Sequence, residues 1–288
     1  HLSVHSFPTR RSSDLFGGVV PDEWSTTFPL IARDFARENR RENPRAQLDA
    51  SLEQALAAHA RDVIQPTHWS TIDLLGAQLN LYWAEFQIPV WRLALKRWRL
   101  WDALARVLEA DDVLADYDLV VVDTPPALGY LTINALAAAD VLLVPLGASF
   151  LEFDSTGRFF DMIHATFASI EQGESDAARA AGLGEVRFEW DAVKALITRY
   201  DPAQQAEMAG LIEAYLGEFL CAHRQEATVL VGQAAEYAQG VYDADPRDFN
   251  RDTYARGRGT FDGTWAEIRA LLDTAWRLDA ARGQGGDG

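Results

Sequence analysis

Residues 117–150 read YDLVVVDTPPALGYLTINALAAADVLLVPLGASF. Leu119 to Val122 form an unbroken apolar, β-branched run, the pattern of a strand buried on both faces of a parallel sheet. The run stops at Asp123, which puts a charge at the strand's carboxyl end. In open α/β sheets, ligands bind in the crevice outside the carboxyl ends of the strands. An acid there, followed by Thr124, Pro125, Pro126 and Gly129, is therefore a candidate site. The two prolines bar a helix at the turn and stiffen it. An alanine-rich helix is expected from Thr132 to Ala139, Asp140 punctuates it, and Val141 to Pro145 make a second buried strand. The stretch predicts a β-α-β unit. The plainer role for Asp123 is a strand-end acid that caps the next helix or turn.

The 288 residues suffice for one large α/β domain or two small ones, and 48% hydrophobic content argues for a packed core. A formal charge of −17 and a pI near 4.7 weigh against a protein that is basic all over, so any nucleic-acid contact must be a local basic patch. The lone Cys221 excludes an internal disulfide framework and a cysteine-rich metal site, and suits a reducing cytoplasm. Six histidines occur without an HExxH pattern, so no zinc site is expected. No stretch of about 20 residues lacks charge, and no membrane span is expected.

Outward from the central stretch, residues 1–15, HLSVHSFPTRRSSDL, are rich in Ser and Arg and are expected to be a non-native or disordered leader. Residues 16–110 predict a helical segment with a short strand. Phe28, Ile31 and Phe35, then Leu48, Leu52 and Leu56, recur at helical intervals, and TIDLL at 71–75 predicts the strand. Between 82 and 110, Trp83, Trp91, Trp98 and Trp101 alternate with Arg92, Lys96, Arg97 and Arg99. Aromatics among cations suit single-stranded bases, but Trp91, Leu95, Trp98, Ala105 and Leu108 fall at helical spacing, which predicts one buried stripe.

Residues 111–278 predict the main α/β core. Asp154 or Ser155 is expected to cap a helix from 159 to 171, and 172–189 reads as a soft insertion. Val193 to Ile197 predict a third strand ending in Thr198, Arg199 and Tyr200; a helix follows from Pro202, and Thr228 to Val231 predict a fourth strand. Segment 240–262, GVYDADPRDFNRDTYARGRGTFD, clusters Arg247, Arg251, Arg256 and Arg258 among aromatics. Arginine forks grip phosphate bidentately. Asp243, Asp245, Asp248, Asp252 and Asp262 are equally able to pair them. A last helix, 264–277, puts Trp265, Ile268, Leu272 and Trp276 on one face, and 279–288 is expected to be a disordered tail.

Three motifs in this order, residues 117–139, ALITRYD at 195–201 and segment 240–262, resemble ParA-type deviant-Walker partition ATPases. The continuation Leu128, Gly129, Tyr130, Leu131, Thr132 is most similar to the RepA-type plasmid partition proteins. The resemblance covers roughly residues 70–278 and implies a P-loop NTPase fold of the SIMIBI kind, a mostly parallel sheet flanked by helices. It implies that Asp123 holds the hydrated Mg2+ of bound ATP beside Thr124 and Pro125, that Thr198, Arg199 and Tyr200 neighbour the nucleotide base, and that Arg247, Arg251, Arg256 and Arg258 contact DNA. It further implies ATP-dependent homodimers, non-specific DNA binding, a centromere-binding ParB-like partner, no membrane, and a cytoplasmic, nucleoid-associated bacterial protein.

The family's Lys-Gly-Gly-x-Gly-Lys-Thr phosphate loop has no counterpart in these residues. Phe16-Gly17-Gly18-Val19 has a glycine pair but no lysine. The expectation is a chain lacking the loop and its strand, hence the first strands missing, a gap beside Leu119 to Val122, poor solubility, and no ATP hydrolysis. Competing expectations are a catalytically silent DNA- or partner-binding protein, an enzyme resembling cobyrinic-acid amidases or dethiobiotin synthetases, and an α/β domain whose Asp-Thr-Pro-Pro turn is only structural.

Overall fold

The structure, a computed structural model, describes residues 2–5, 27–45, 47–77, 81–180, 187–237 and 239–285. The chain divides into two compact units, His1–Ala138 and Ala139–Gly288. In the first, four strands run β1 (Leu2–His5), β2 (Ile64–Pro66), β3 (Asp73–Gly76) and β4 (Val120–Val122). Their order in the sheet is β2-β3-β1-β4, with β1 parallel to both β3 and β4, and β2 antiparallel to β3. Helices α1 (Thr27–Glu42), α2 (Ala50–Ala55), α3 (Ala60–Val63), α4 (Tyr82–Ala94), α5 (Ala103–Ala110) and α6 (Tyr130–Ala138) complete the unit.

The helical spacing in α1 divides its apolar side between two clusters. Ile31 and Phe35 pack with Leu52, Ile88, Trp91 and Trp98, while Leu30 packs with Val63, Leu75, Leu104 and Val107. Phe35 stacks on Trp91 at 5.1 Å and meets Trp98 edge-on at 5.2 Å, pairings that add about 0.5–1.5 kcal/mol each beyond the area they bury. Asp49 caps α2 by accepting from the Leu52 amide at 2.9 Å.

Arg33 of α1 is fully buried. Its Nη1 donates to the Ala58 carbonyl at 2.5 Å and lies 2.7 Å from Asp111 Oδ2, while Nε and Nη2 find no hydrogen-bond partner among the described residues. Asp111 Oδ2 also accepts from the Ala60 amide at 2.7 Å, and His59 Nε2 stands 3.6 Å from Oδ1. Burial opposes the Asp111 charge, but the Ala60 amide, Arg33 and His59 together outweigh it and hold the carboxyl below the usual carboxylate range.

The second unit is built on β5 (Val141–Gly147) and β6 (Ala192–Thr198), parallel over seven residue pairs from Val141↔Ala192 to Gly147↔Thr198. Around them lie α7 (Phe150–Ala180), α8 (Pro202–Leu216), α9 (Leu230–Glu236) and α10 (Arg251–Gly285). Asp201 accepts from the Ala203 amide at 2.9 Å and, with Pro202 at the first helical position, starts α8. Leu146, Ala195, Ile197, Ala209, Ile212 and Leu220 form this unit's core, and Leu230, Ala234, Val241 and Ala244 a smaller cluster that packs against Phe249, Tyr254 and Phe261.

Several expectations are corrected. Residues 2–5 of the leader form β1, which lies between β3 and β4, so the expected gap beside β4 is filled. The alternation Leu2, Ser3, Val4, His5 is a strand pattern that the surrounding Ser and Arg residues masked. Strand β4 is at the edge of its sheet and is not buried on both faces, since Val121 is 47% exposed. Strands β4 and β5, read as one β-α-β unit, belong to different sheets and different units.

The tryptophan stripe is buried at Trp91, Trp98 and Trp101, but not as one helix. Helix α4 ends at Ala94, and Trp98 is carried by the following turn, its Nε1 donating to Asp34 at 2.7 Å. Trp83 lies on the exposed side of α4. Helix α7 starts at Phe150, earlier than expected, because Ser149 and Glu152 bond reciprocally there: Ser149 Oγ accepts from the Glu152 amide at 3.3 Å and donates to its carboxylate at 3.2 Å. Asp154 sits inside α7, paired with Arg158 at 2.9 Å.

Residues 228–231 contain no strand, since Leu230 and Val231 already begin α9. The strand-like pairing falls earlier, where the Cys221 and Gln225 amides donate to Ala195 and Ile197 of β6 at 2.8 Å each. Helix α10 runs through Gly285, into the expected tail. The 16–19 glycine pair, Trp24, Gln78, Gly182 and Gly184 lie outside the described residues. Among the described residues no helix is long and apolar enough to cross a membrane.

Two outcomes follow. Asp111→Asn leaves the Arg33 guanidinium buried without its counter-charge and is expected to cost about 3–5 kcal/mol at pH 7, read by urea denaturation. A depressed folded-state pKa gives stability that is complete above the unfolded carboxylate value of about 4 and is lost as pH falls below it; the acid limb of wild-type stability should therefore flatten in this variant. Separately, burial, with Glu267 nearby, pushes the buried Cys221 thiol up to about 11. Folded protein at pH 8 should thus resist an aromatic disulfide reagent and react only on unfolding, a result that free labelling of native protein would contradict.

Candidate functional site

Asp123 is exposed at the carboxyl end of β4, where the sequence places it. The turn behind it is tied at several points. The Ala127 amide donates to Pro125 O at 2.8 Å, the Thr132 hydroxyl to Ala127 O at 2.6 Å, and the Ile133 amide to Gly129 O at 2.9 Å. Glu85 of α4 accepts from the amides of Tyr130 and Leu131 at 2.7 and 2.9 Å, one on each carboxylate oxygen. These are the first two N–H groups of α6, which an α-helix leaves without internal partners. Gly129 makes room for that carboxylate, because a Cβ at 129 would stand 2.5 Å from Glu85 Oε1. Glu85 has no motif of its own; its place four residues into a Trp- and Phe-rich helix gave no sequence signal.

Asn134 of α6 is buried and locked. Its Nδ2 donates to the carbonyls of Leu100 and Tyr130 at 2.7 and 2.9 Å, and its Oδ1 accepts from the Leu104 amide at 3.1 Å. Thr124, Pro125, Thr27, Tyr82 and Asn134 line a cavity of about 50 Å³ next to Asp123. That is small against the roughly 300–1,000 Å³ of pockets that enclose a small ligand. No group of three or more metal-ligating side chains exists among the described residues. A single exposed carboxylate suits Mg2+, which keeps most of its waters and takes one or two carboxylates together with substrate phosphates.

In the second unit, the carboxyl ends of β5 and β6 gather Thr198, Arg199 and Tyr200 with Glu152. Arg199 adopts a left-handed backbone, φ 53°, and its Nη2 lies 2.6 Å from Glu152 Oε1. Gly147, the last residue of β5, leaves space for the Glu152 carboxylate. The Thr198 hydroxyl donates to Leu146 O at 3.4 Å. Tyr200 is 8% exposed and packs in the core under the Arg224 guanidinium, 5.4 Å above its ring, so of the three only Arg199 projects outward. Asp123, Thr124 and Pro125 stand together in one unit, and Thr198, Arg199 and Tyr200 in the other.

The four arginines of segment 240–262 differ in state. Arg247 pairs with Asp245 at 2.6 Å, and hydrogen bonding from Arg247 holds that carboxyl down at about 2. Arg258 lies 4.2 Å over the Tyr242 ring and 3.8 Å from Asp262. Arg251 and Arg256 are exposed on α10 and carry no ion pair among the described residues.

Comparison with known proteins bears on this arrangement. A family model described as an AAA domain matches residues 36–172. The chain is 31% identical over 244 residues to a replication protein A of Sinorhizobium fredii, covering 81% of this chain and 56% of the relative. It is 32% identical over 108 residues to protein SopA of Escherichia coli K12, covering 38% of this chain and 28% of the relative. Among solved structures, one described as a partition protein superposes with a TM-score of 0.54 at 17% identity, covering 94% of this chain and 61% of the other. The chain spans about half the length of the replication proteins it matches.

The left-handed conformation at Arg199 costs an L-residue about 1–2 kcal/mol, and the exposed pair with Glu152 returns at most about 1 kcal/mol. Arg199→Gly is accordingly expected to leave stability unchanged or raise it by up to about 1 kcal/mol in chemical denaturation. A clear loss would show that the strain is not there.

Proposed function

We propose that the chain is a ParA-type partition ATPase, a reading supported by its similarity to the replication protein A and SopA relatives and by the AAA-domain match, and that its residues serve a nucleotide-driven DNA-segregation motor. The observation that carries this reading is Asp123, set at the carboxyl end of a parallel strand and followed by a turn bonded at both ends. In this reading Asp123 would hold the hydrated Mg2+ of bound ATP, with Thr124 and Pro125 beside it. By the same resemblance Thr198, Arg199 and Tyr200 of the second unit would neighbour a nucleotide base, Tyr200 from within that unit's core. Bound Mg2+-ATP would supply the phosphoanhydride and the charge neutralisation on which phosphoryl transfer depends. Two chains act as a homodimer, with non-specific DNA and a ParB-like centromere-binding protein as partners, on the nucleoid in the cytoplasm.

The chain has two lysines, Lys96 and Lys194, and neither follows a glycine. Residues 1–288 alone are therefore proposed to bind without turning over ATP. Purified protein should release no phosphate above an Asp123→Ala control; an Asp123-dependent rate would overturn that part.

The DNA grip is proposed to rest on Arg251 and Arg256, with Arg247 and Arg258 held back by their acidic neighbours. Fluorescence anisotropy with a duplex of arbitrary sequence tests it. Arg251→Ala and Arg256→Ala should each lower affinity and reduce the slope of log K against log salt by about 1. Asp245→Asn, which releases Arg247, should raise both. Binding with a salt slope that none of these changes alters would place the DNA contact elsewhere.

A further inference from the structure

We propose that Glu85 is a positioning residue for Asp123: it sets where the metal-side carboxylate stands by holding the far end of its turn. The inference rests on the reading of Asp123 given above and names a residue that reading does not contain.

The Asp123 turn has two anchors. The near anchor is β4, paired to β1 through Val120, Val121 and Val122. The far anchor is the start of α6, and there the Glu85 carboxylate takes both the Tyr130 and the Leu131 amide. Between the anchors the Ala127 amide donates to Pro125 O, and the Thr132 hydroxyl of α6 donates to Ala127 O at 2.6 Å, so the start of α6 also grips the middle of the turn. Two prolines transmit a displacement at one end to the other, because their φ angles cannot absorb it.

Glu85 is itself rigidly held. Its helix α4 buries Ala84 and Ile88 fully and Trp91 almost fully, and stands against the α1 core through the Phe35 and Trp91 rings. Tyr82, one turn earlier on α4, lines the cavity beside Asp123, so the same helix touches the site at two points. Gly129 completes the fit, since any side chain there would push the carboxylate out. A helix cap alone needs none of this. Serine, threonine or aspartate just ahead of Tyr130 would satisfy the same amides locally, whereas here the acceptor comes from 45 residues away and fixes one element to another.

The test uses the full 288-residue chain, Mn2+ as the probe and amide-resolved paramagnetic broadening as the readout. Wild-type protein should show broadening centred on the Asp123 and Thr124 amides. Glu85→Gln keeps the shape but faces one amide with a donor in place of an acceptor. It should speed hydrogen exchange at Tyr130 or Leu131 about tenfold and reduce broadening at Asp123 and Thr124 several-fold, with the thermal midpoint shifted only a few degrees. Glu85→Asp, which keeps the charge but withdraws it by one methylene, should give an intermediate loss.

Faster exchange with unchanged broadening at Asp123 would reduce Glu85 to a cap and overturn the inference. Unchanged broadening in Asp123→Asn would overturn the metal reading, and the inference with it, by a separate route. Should Glu85→Gln not fold, Gly129→Ala displaces the same carboxylate from the other side and is read identically. If neither folds, Glu85 is a folding determinant and not a positioning residue.

Discussion

A guanidinium with no exposed surface cannot be left uncompensated, and the first unit is arranged around that requirement. Arg33 brings a full charge into the core from α1. Its counter-ion, Asp111, stands just past the end of α5, and the Ala60 amide at the start of α3 shares the same carboxylate oxygen. Three helices are thereby held in one register by a group whose removal is far costlier than its presence is beneficial. The site inherits that register. Helix α1 delivers Thr27, and α5 delivers Leu104, to the cavity beside Asp123; the Leu104 amide in turn holds Asn134 of α6.

The second unit solves a different problem. Two seven-residue parallel strands provide a stable base, and the chain uses it to carry strain at their carboxyl ends. Arg199 turns into the left-handed region immediately after β6, while the next residue, Tyr200, is anchored on both sides by backbone bonds, its amide to Gln225 O and its carbonyl to the Ala227 amide, each at 2.9 Å. The contrast between a buried tyrosine and an outward arginine one position apart follows from that anchoring. Strain of this kind persists only where the surroundings over-determine it.

The parts of this molecule legible in its sequence are those in which local chemistry and global fold agree. The carboxyl-end acid Asp123, the strand that ends at Thr198, and the Pro202 helix start each carry their own signal, respectively a charge closing an apolar run, a mostly apolar run ending in Ile197 and Thr198, and a proline after an aspartate. Other features depend on partners distant in sequence. Leu2–His5 is strand because β3 and β4 offer it two edges, not because four residues declare it. Trp98 is buried from a turn because its indole N–H reaches Asp34, 64 residues away, and not because it continues the periodicity of Trp91. Glu85 is invisible for the same reason. An acid on a helix surface has no sequence signature for the amides that another helix will present to it.

The acidity of the chain constrains how its cations can act. Of the four arginines in segment 240–262, Arg247 and Arg258 stand near carboxylates, and a cation already neutralised displaces few counterions from DNA. Two exposed arginines per chain, Arg251 and Arg256, would give a proposed DNA grip a salt exponent near 2, so a fourfold rise in salt would weaken it only about tenfold. Two chains bound together double the exponent, and the same rise in salt then weakens binding by roughly a hundredfold. A protein of net charge −17 also opposes the approach of a polyanion as a whole. If the proposed contacts hold, a single chain would grip DNA weakly, so a pairing step that brings two such segments to one duplex would convert weak contacts into a grip, and separating the pair would release it without altering a single contact residue.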